Sequence, residues 1–518
     1  MKGFIHQKGK EIHDGNGKSI LLKGVGFGNW LLPEGYMWKF YDDCDRPRRI
    51  ENLILDLTGE EYSKRFWKQY FDSYITKDDI EYIKSRGLNS VRLPINARYI
   101  MNRDNDKRTL SYKGIEYIDK LLKWCEENEI YVILDMHGAP GGQTGTNIDD
   151  SENDSPELFI DNKYRDDLIW LWTELAKRYK DRNIIAGYDL INEPLPEWFN
   201  EHNDKVMPMY YDITNAIRQV DKNHMIILEG VHWATDWSIF ESLKENTIEN
   251  CMLQFHKYWD NPDTESIQKF LDKRDELNYP IFMGEGGENN MLLYAGVFHL
   301  LDQHNISWNF WSYKKMGTHN SPISFNMPEG WDGIIEYIKG GCSPDNPKEI
   351  FDEFLNNIKF ENSIINEGVL NHAQRIAPIK IRAIFYDLLN ERFQHNSNVN
   401  FRAGDKADIR FVDQNGELSF KHDAGQDIND NQRLCLAMHM DEGYKYTFNS
   451  NCGRIYIKCM SSIESDLTIK INDKKINCLS IDKEMKVYDV GNAEMGVNLL
   501  ELSCNKGIVE VELIEIDR

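Results

Sequence analysis

Eight short apolar runs, rich in β-branched residues and bounded by Gly, Asn and Pro, recur at residues 20–27, 89–95, 130–137, 184–193, 225–231, 251–258, 279–287 and 306–313. Helical patterns fill most of the gaps. Across residues 114–128, Ile115, Ile118, Leu122 and Cys125 share one face at helical spacing, which predicts an amphipathic helix on the outside of a sheet. Thr76-Lys77-Asp78-Asp79 resembles a capping box, with Ile80 and Ile83 as its apolar stripe and Gly87 as its stop. Strands apolar on both faces, alternating with helices, predict an α/β fold: a parallel (β/α)8 TIM barrel. An open doubly wound sheet would need a Gly-rich phosphate turn after its first strand. Gly24-Val25-Gly26-Phe27-Gly28-Asn29 spaces its glycines wrongly for that and runs on into Trp30 and Leu31, not into a helix.

The pattern changes towards the C-terminus. Barrel-like alternation ends around residues 361–378; from about Phe385 onward Trp is absent, and short β-patterned runs take over at 444–448, 455–459, 467–471 and 509–516. Asp473-Lys474-Lys475 and Gly491-Asn492 read as turns between them, which predicts a smaller all-β jelly-roll sandwich. The expected organisation is a barrel domain over residues 1–375 and a sandwich domain over 380–518.

In a barrel the C-terminal strand ends converge on one face, and here they carry polar and aromatic residues: Arg92, His137, Asn192, Glu193, His256, Tyr258, Glu285 and Trp311. Singly, each has an ordinary structural reading; jointly they suggest a site. Two Glu on separate strand ends suit glycoside hydrolysis, which needs one carboxyl protonated for the leaving oxygen and another ionised to attack or stabilise the sugar carbon. Arg92 beside Glu285 would favour its ionised form, whereas a drier setting would keep Glu193 protonated.

Gly87 to Pro94, Leu134-Asp135-Met136-His137-Gly138, Ile191-Asn192-Glu193-Pro194, Phe255-His256-Lys257-Tyr258 and Gly284-Glu285-Gly286 resemble the ordered motifs of glycoside hydrolase family 5, a family of retaining β-glycosidases. The resemblance implies that Glu193 is the acid/base and Glu285 the nucleophile, with Asn192 on the sugar 2-hydroxyl. It further implies that Arg92 and Tyr258 hold Glu285, that His137 and His256 line the site, and that Trp311 forms its floor. Gly28 to Glu34, and His137 to Gly145, are similar to motifs of fungal exo-β-1,3-glucanases, in which the acid matching Glu34 binds the non-reducing sugar of a closed pocket. Residues 35–74 have no counterpart there; they would cover the site or pack on the barrel. Gly443 to Phe448, Val497 to Leu502 and Val511 to Ile516 look like a jelly-roll carbohydrate-binding module, whose platform, without Trp, would have to come from Tyr or Phe.

A net charge of -24 argues against a nucleic-acid partner. The 9 cysteines are scattered without a CxxC pair, so reduced thiols are expected and zinc ligation is unsupported. No apolar leader follows Met1 and no stretch of about 18 apolar residues occurs, so a cytoplasmic protein with no membrane partner is expected; a secreted one lacking its signal peptide would look the same. A cytoplasmic enzyme would take a short imported β-glucoside.

Neither cofactor nor metal is expected. The expected activity is retaining, exo-acting hydrolysis of β-glucosidic bonds in β-glucans or β-gluco-oligosaccharides. An endo-acting glucanase or mannanase of the same family, and a sugar-binding protein that has lost catalysis, are the alternatives.

Overall fold

The computed structural model describes residues 3–40, 44–104, 107–389, 393–395, 399, 401–412 and 433–518. Residues 41–43 of the 35–74 segment lie outside that set.

Each of the eight apolar runs marks one barrel strand, with β2 and β3 running one residue further: β1 (Lys23–Gly26), β2 (Ser90–Asn96), β3 (Tyr131–Gly138), β4 (Ile185–Asp189), β5 (Met225–Glu229), β6 (Cys251–His256), β7 (Ile281–Gly287) and β8 (Ser307–Trp311). They pair in order and close, with β8 parallel to β1. Register sets Arg92 beside Gly26, Asp189 beside Asp135 and Glu285 beside His256. The last pairing follows a β-bulge between Phe255 and His256, a device that re-aims a side chain at a strand end.

The opposite end of the barrel is apolar. Leu22, Ile133, Ala186, Ile227 and Phe282 form one buried cluster with Ile5 and Ile12 of an N-terminal antiparallel ribbon, which closes that end. Helix α1 (Pro47–Thr58) and α2 (Glu60–Ser73) make up most of the 35–74 segment. Trp38 and Phe40 of this segment belong to a packing core: Trp38 stacks on Phe354 at 4.4 Å and Phe40 on Trp331 at 5.2 Å. Helix α3 (Lys77–Ser85) begins with the expected capping box, in which the Thr76 backbone N–H donates to the Asp79 carboxylate at 2.8 Å. Helix α4 (Tyr112–Asn128) buries Ile115, Ile118, Leu122 and Cys125.

Two compact units divide the chain: Met1–Lys257, Phe270–Gly286 and Ile306–Ile365 in the first; Tyr258–Lys269, Gly287–Asn305 and Asn366–Arg518 in the second. The second contains two antiparallel sheets. One orders β10 (Ile409–Phe411), β11 (Leu434–His439), β18 (Ile508–Ile516), β13 (Arg454–Met460) and β16 (Lys486–Asn492), with β9 (Ile379–Arg382) also on β18. The other orders β12 (Gly443–Asn451), β17 (Met495–Lys506), β14 (Ser465–Ile471) and β15 (Lys474–Ile481).

Two turn expectations are corrected. The β14–β15 hairpin turns on Asn472 and Asp473, both left-handed with φ of 49° and 65°, because a two-residue hairpin loop with the right twist needs positive φ at both positions. Gly491-Asn492 ends β16, where Gly491 pairs with Ile455 beside a bulge that leaves Val490 between the partners of Ile455 and Tyr456. Tyr444, Tyr446 and Phe448 alternate inward and are buried, so they offer no exposed platform. Among the described residues no helix is long and apolar enough to cross a membrane, and no two cysteines form a disulfide.

Candidate active site

A fully buried guanidinium organises the C-terminal end of the barrel. Arg92 donates from Nε to Asp189 Oδ2 at 2.9 Å and from Nη1 to Glu285 Oε1 at 2.6 Å. Its Nη2 donates to Asn192 Oδ1 at 2.8 Å and Glu229 Oε1 at 2.9 Å, and lies 3.2 Å from Asp135 Oδ2. One cation thus pairs with carboxylates from β3, β4, β5 and β7. Burying a charge without partners is prohibitively costly, so this arrangement is interdependent.

The side chains on either side of Glu285 and Glu193 are fixed in turn. His137 donates from Nδ1 to Asp135 Oδ2 at 2.7 Å, which leaves Nε2 as the acceptor facing Asn192 Nδ2 at 3.4 Å. Its ring lies parallel to Trp311 at 5.3 Å. His256 Nδ1 lies 2.6 Å from Glu193 Oε1 and 3.6 Å from Glu285 Oε2. Glu193, His256 and Glu285 each offer an atom within 4.8 Å of those of the other two.

Close packing explains the glycines that were out of place for a phosphate loop. A Cβ on Gly26 would meet the Trp311 ring at 2.5 Å, and one on Gly28 would meet it at 2.8 Å. A Cβ on Gly284, directly before Glu285, would fall 2.2 Å from the Gln254 side chain.

Charge separates the carboxyls. Burial pushes Glu193 above the usual carboxylate range; Glu285 and Glu229 add to the rise, and His256 offsets only part of it. Burial acts the same way on Glu229, but His256 and Arg92 outweigh it and hold that group low. His256 is disfavoured as a cation by burial, yet Glu285, Glu229 and Glu193 together raise it well above the usual histidine value. Burial also raises Asp135 and Asp189.

Glu34 is buried; its N–H donates to Asn29 Oδ1 at 3.1 Å, an atom that also accepts from Trp38 Nε1 at 2.6 Å. Two residues on, the Tyr36 hydroxyl accepts from Trp311 Nε1 at 3.1 Å, so the start of the 35–74 segment reaches the site wall. Its helices instead pack as described above and tie to the loop after β3 through Arg48 and Asp150 at 3.0 Å. That loop is pinned by Gln143 Nε2, which donates to the Asn192 carbonyl at 3.0 Å and the His137 carbonyl at 2.6 Å. Tyr258 is partly buried, with its ring 5.3 Å from Trp259.

Sequence reasoning missed Asp135, Asp189, Glu229 and Gln254. Glu229 carried the same signal as Glu285, an acid at the end of an apolar strand before Gly, and it could have been found that way. In the second unit, His395, Asp408 and His439 also lie within 4.8 Å of one another, but Arg410 pairs with Asp408 and Glu442 with His395.

Residues 55–317 match the model for cellulase, glycosyl hydrolase family 5. The chain belongs to this family. It is 32% identical over 255 residues to a "Beta-xylosidase" of Phanerodontia chrysosporium, a match covering 49% of this chain and 52% of the relative. It is 26% identical over 242 residues to a "Probable glucan 1,3-beta-glucosidase A" of Aspergillus fumigatus, covering 46% of this chain and 56% of that one. The matched region thus spans about half the length of these curated relatives. In fold, the family 5 chain is similar to a solved endogalactoceramidase, with a TM-score of 0.52 at 12% identity over 98% of this chain and 99% of the other.

Proposed function

We propose that this family 5 glycoside hydrolase is a retaining, exo-acting β-glycosidase that removes sugar units from the non-reducing ends of β-glucans or β-gluco-oligosaccharides. The observation that carries the reading is that one nitrogen of His256 faces both carboxyls, 2.6 Å from Glu193 Oε1 and 3.6 Å from Glu285 Oε2, with an oxygen of each carboxyl within 4.8 Å of one of the other. Carboxyls about 5–5.5 Å apart suit direct nucleophilic attack, whereas an inverting enzyme needs about 6.5–9.5 Å to admit water between them.

In the first step a Glu285 oxygen attacks the anomeric carbon, the bond to the leaving oxygen breaks, and the Glu193 proton passes to that oxygen. In the second, water attacks the same carbon, gives its proton to Glu193, and releases Glu285 as a carboxylate. Arg92, 2.6 Å from Glu285, favours the ionised nucleophile; burial favours a protonated Glu193. Asn192 is oriented by Arg92 and lies beside His137, a placement suited to a sugar hydroxyl.

Support for an end-acting site comes from the wall made by buried Glu34, by Tyr36 on Trp311, and by the loop that Gln143 fastens. The relatives' printed names, a β-xylosidase and a glucan 1,3-β-glucosidase, fit the same reading and add xylose to the sugars to test.

The test is product analysis over time on laminari-, cello-, manno- and xylo-oligosaccharides, with the anomer of the first product read by NMR. Single sugars released with retained β configuration are expected. Mixed internal fragments would mean an open cleft, and an inverted first product would remove the covalent mechanism.

A further inference from the structure

Glu229 is a buried acid for which the proposed mechanism has no use, yet it holds Glu193 from two directions. Its Oε2 accepts the Glu193 backbone N–H at 2.8 Å. The same oxygen lies 3.5 Å from His256 Nε2, and the other nitrogen of that ring lies 2.6 Å from Glu193 Oε1. Its Oε1 accepts from Arg92 at 2.9 Å and from Gln254 Nε2. The Tyr210 hydroxyl donates to its backbone carbonyl at 2.9 Å. The carboxylate therefore has almost no freedom of its own.

The backbone it grips is unusual. Glu193 has φ of 40°, in the left-handed region that a residue with a β-carbon rarely adopts, and such conformations persist only where surrounding contacts impose them. The N–H bond to Glu229 is one such contact.

We infer that Glu229 is the positioning residue of the acid/base: it clamps the Glu193 backbone directly and orients its carboxyl through His256, so that proton delivery to the leaving group depends on it. This rests on the reading of Glu193 as acid/base. The arrangement of carboxylate, imidazole and working group is that of an orienting relay, in which the outer acid fixes the orientation of the ring without itself reacting. The charged groups facing Glu229 are Arg92 and His256, with Asp189, Asp135 and Glu285 reached through Arg92, and Glu193 across the ring. Its negative charge helps keep Glu193 protonated, in the same sense as burial.

The test compares Glu229→Gln, Glu229→Asp and Glu193→Gln with wild type on paired substrates. One is 2,4-dinitrophenyl β-glucoside, whose leaving group needs no proton; the other is cellobiose, whose leaving group does; the corresponding xylosides are run alongside. For Glu229→Gln, kcat/KM on cellobiose is expected to fall about 100-fold, within the usual contribution of a general acid, and that on the dinitrophenyl glycoside by less than about fivefold. The alkaline limb of the pH profile should move to lower pH, because removing the charge lets Glu193 ionise earlier. Glu229→Asp keeps the charge and nearly all the packing, so it should show the leaving-group pattern with the alkaline limb unmoved, and it serves as the folded comparison.

Equal losses on both substrates with no shift of the alkaline limb would overturn the inference and leave Glu229 a packing residue. Should Glu193→Gln itself lack the leaving-group pattern, the acid/base reading fails. If Glu193→Gln shows it and neither Glu229 variant does, only the inference fails.

Discussion

The two ends of one barrel bury their side chains about equally and use that burial for opposite purposes. At the N-terminal end, Leu22, Ile133, Ile227 and Phe282 meet the ribbon residues Ile5 and Ile12, and each side chain removed from water stabilises the fold. At the C-terminal end, Arg92, Asp135, Asp189, Glu229 and Glu285 are removed from water just as completely, at a cost their mutual pairing must offset. The comparison separates two jobs: the apolar end makes the barrel stable, and the charged end uses that stability to hold carboxyls at displaced protonation states.

The largest expected effect lies wholly at the charged end. Glu193→Gln and Glu285→Gln should each lower kcat/KM on an unactivated glycoside on the order of 10⁴-fold, since each removes a reacting group of the proposed mechanism. The thermal midpoint should change little for Glu193→Gln, whereas Glu285→Gln also takes one of four carboxylates from buried Arg92 and should lose some stability. Near-normal turnover in either variant would sink the proposed mechanism.

Arg92→Met should break both halves of the comparison at once. It leaves Glu285, Asp189, Glu229 and Asp135 without their shared cation, and stranding buried charges costs about 3–5 kcal/mol. Denaturant unfolding should report that loss, and turnover should fall with it. At the other end, Phe282→Ala should cost about 3–5 kcal/mol of stability through the cavity it leaves, while kcat/KM below the melting range stays within about twofold. A large kinetic effect from Phe282→Ala would show that the ends are mechanically coupled.

Much of this division was legible in the chain. Each barrel strand announced itself as an apolar run because a parallel strand is covered on both faces, and the residue at its C-terminal tip was readable by position alone. What stayed hidden were residues inside the strands. Asp135 and Asp189 interrupt apolar runs, and nothing local says that Arg92, distant in sequence, neutralises both. The reason for Gly26 and Gly28 was hidden in the same way: it is the Trp311 ring, brought alongside only when β8 closes on β1. The β14–β15 turn slipped by one residue because the left-handed pair Asn472-Asp473 has no glycine to mark it.

Acidity offers a smaller lever that acts on one end only. His256 has a folded pKa well above its unfolded value, near 6.5, so its stabilising contribution is complete below about pH 6.5 and is lost as pH rises through the folded value. His299, in the second unit, is lowered by burial and by Arg375; its contribution is present above about pH 6.5 and is lost as pH falls through its folded value. From pH 7 upward only the first acts, and the thermal midpoint should decline. Phe282→Ala should keep that slope, whereas His256→Gln should flatten it; an unchanged slope in His256→Gln would place the titration elsewhere.

The smallest expected effect sits on the rim of the charged end. After β5 the chain passes through three successive left-handed residues, His232, Trp233 and Ala234, with φ of 54°, 59° and 60°. The His232 N–H donates to the Leu195 carbonyl at 2.8 Å, which ties this turn to the loop that follows Glu193. Together they set Trp233 edge-on to Trp198 at 5.8 Å, and Trp198 remains 61% exposed. An exposed tryptophan held so close in sequence to the proposed acid/base suits contact with the leaving group. Such aromatic contacts contribute about 0.5–1.5 kcal/mol, so Trp198→Ala should raise KM for glycosides with a large leaving group by roughly two- to tenfold. Hydrolysis of β-glucosyl fluoride, whose leaving group is a single atom, should be unchanged. A matching loss on the fluoride would mean that Trp198 supports the loop itself, and the rim would then belong with the structural end of the comparison.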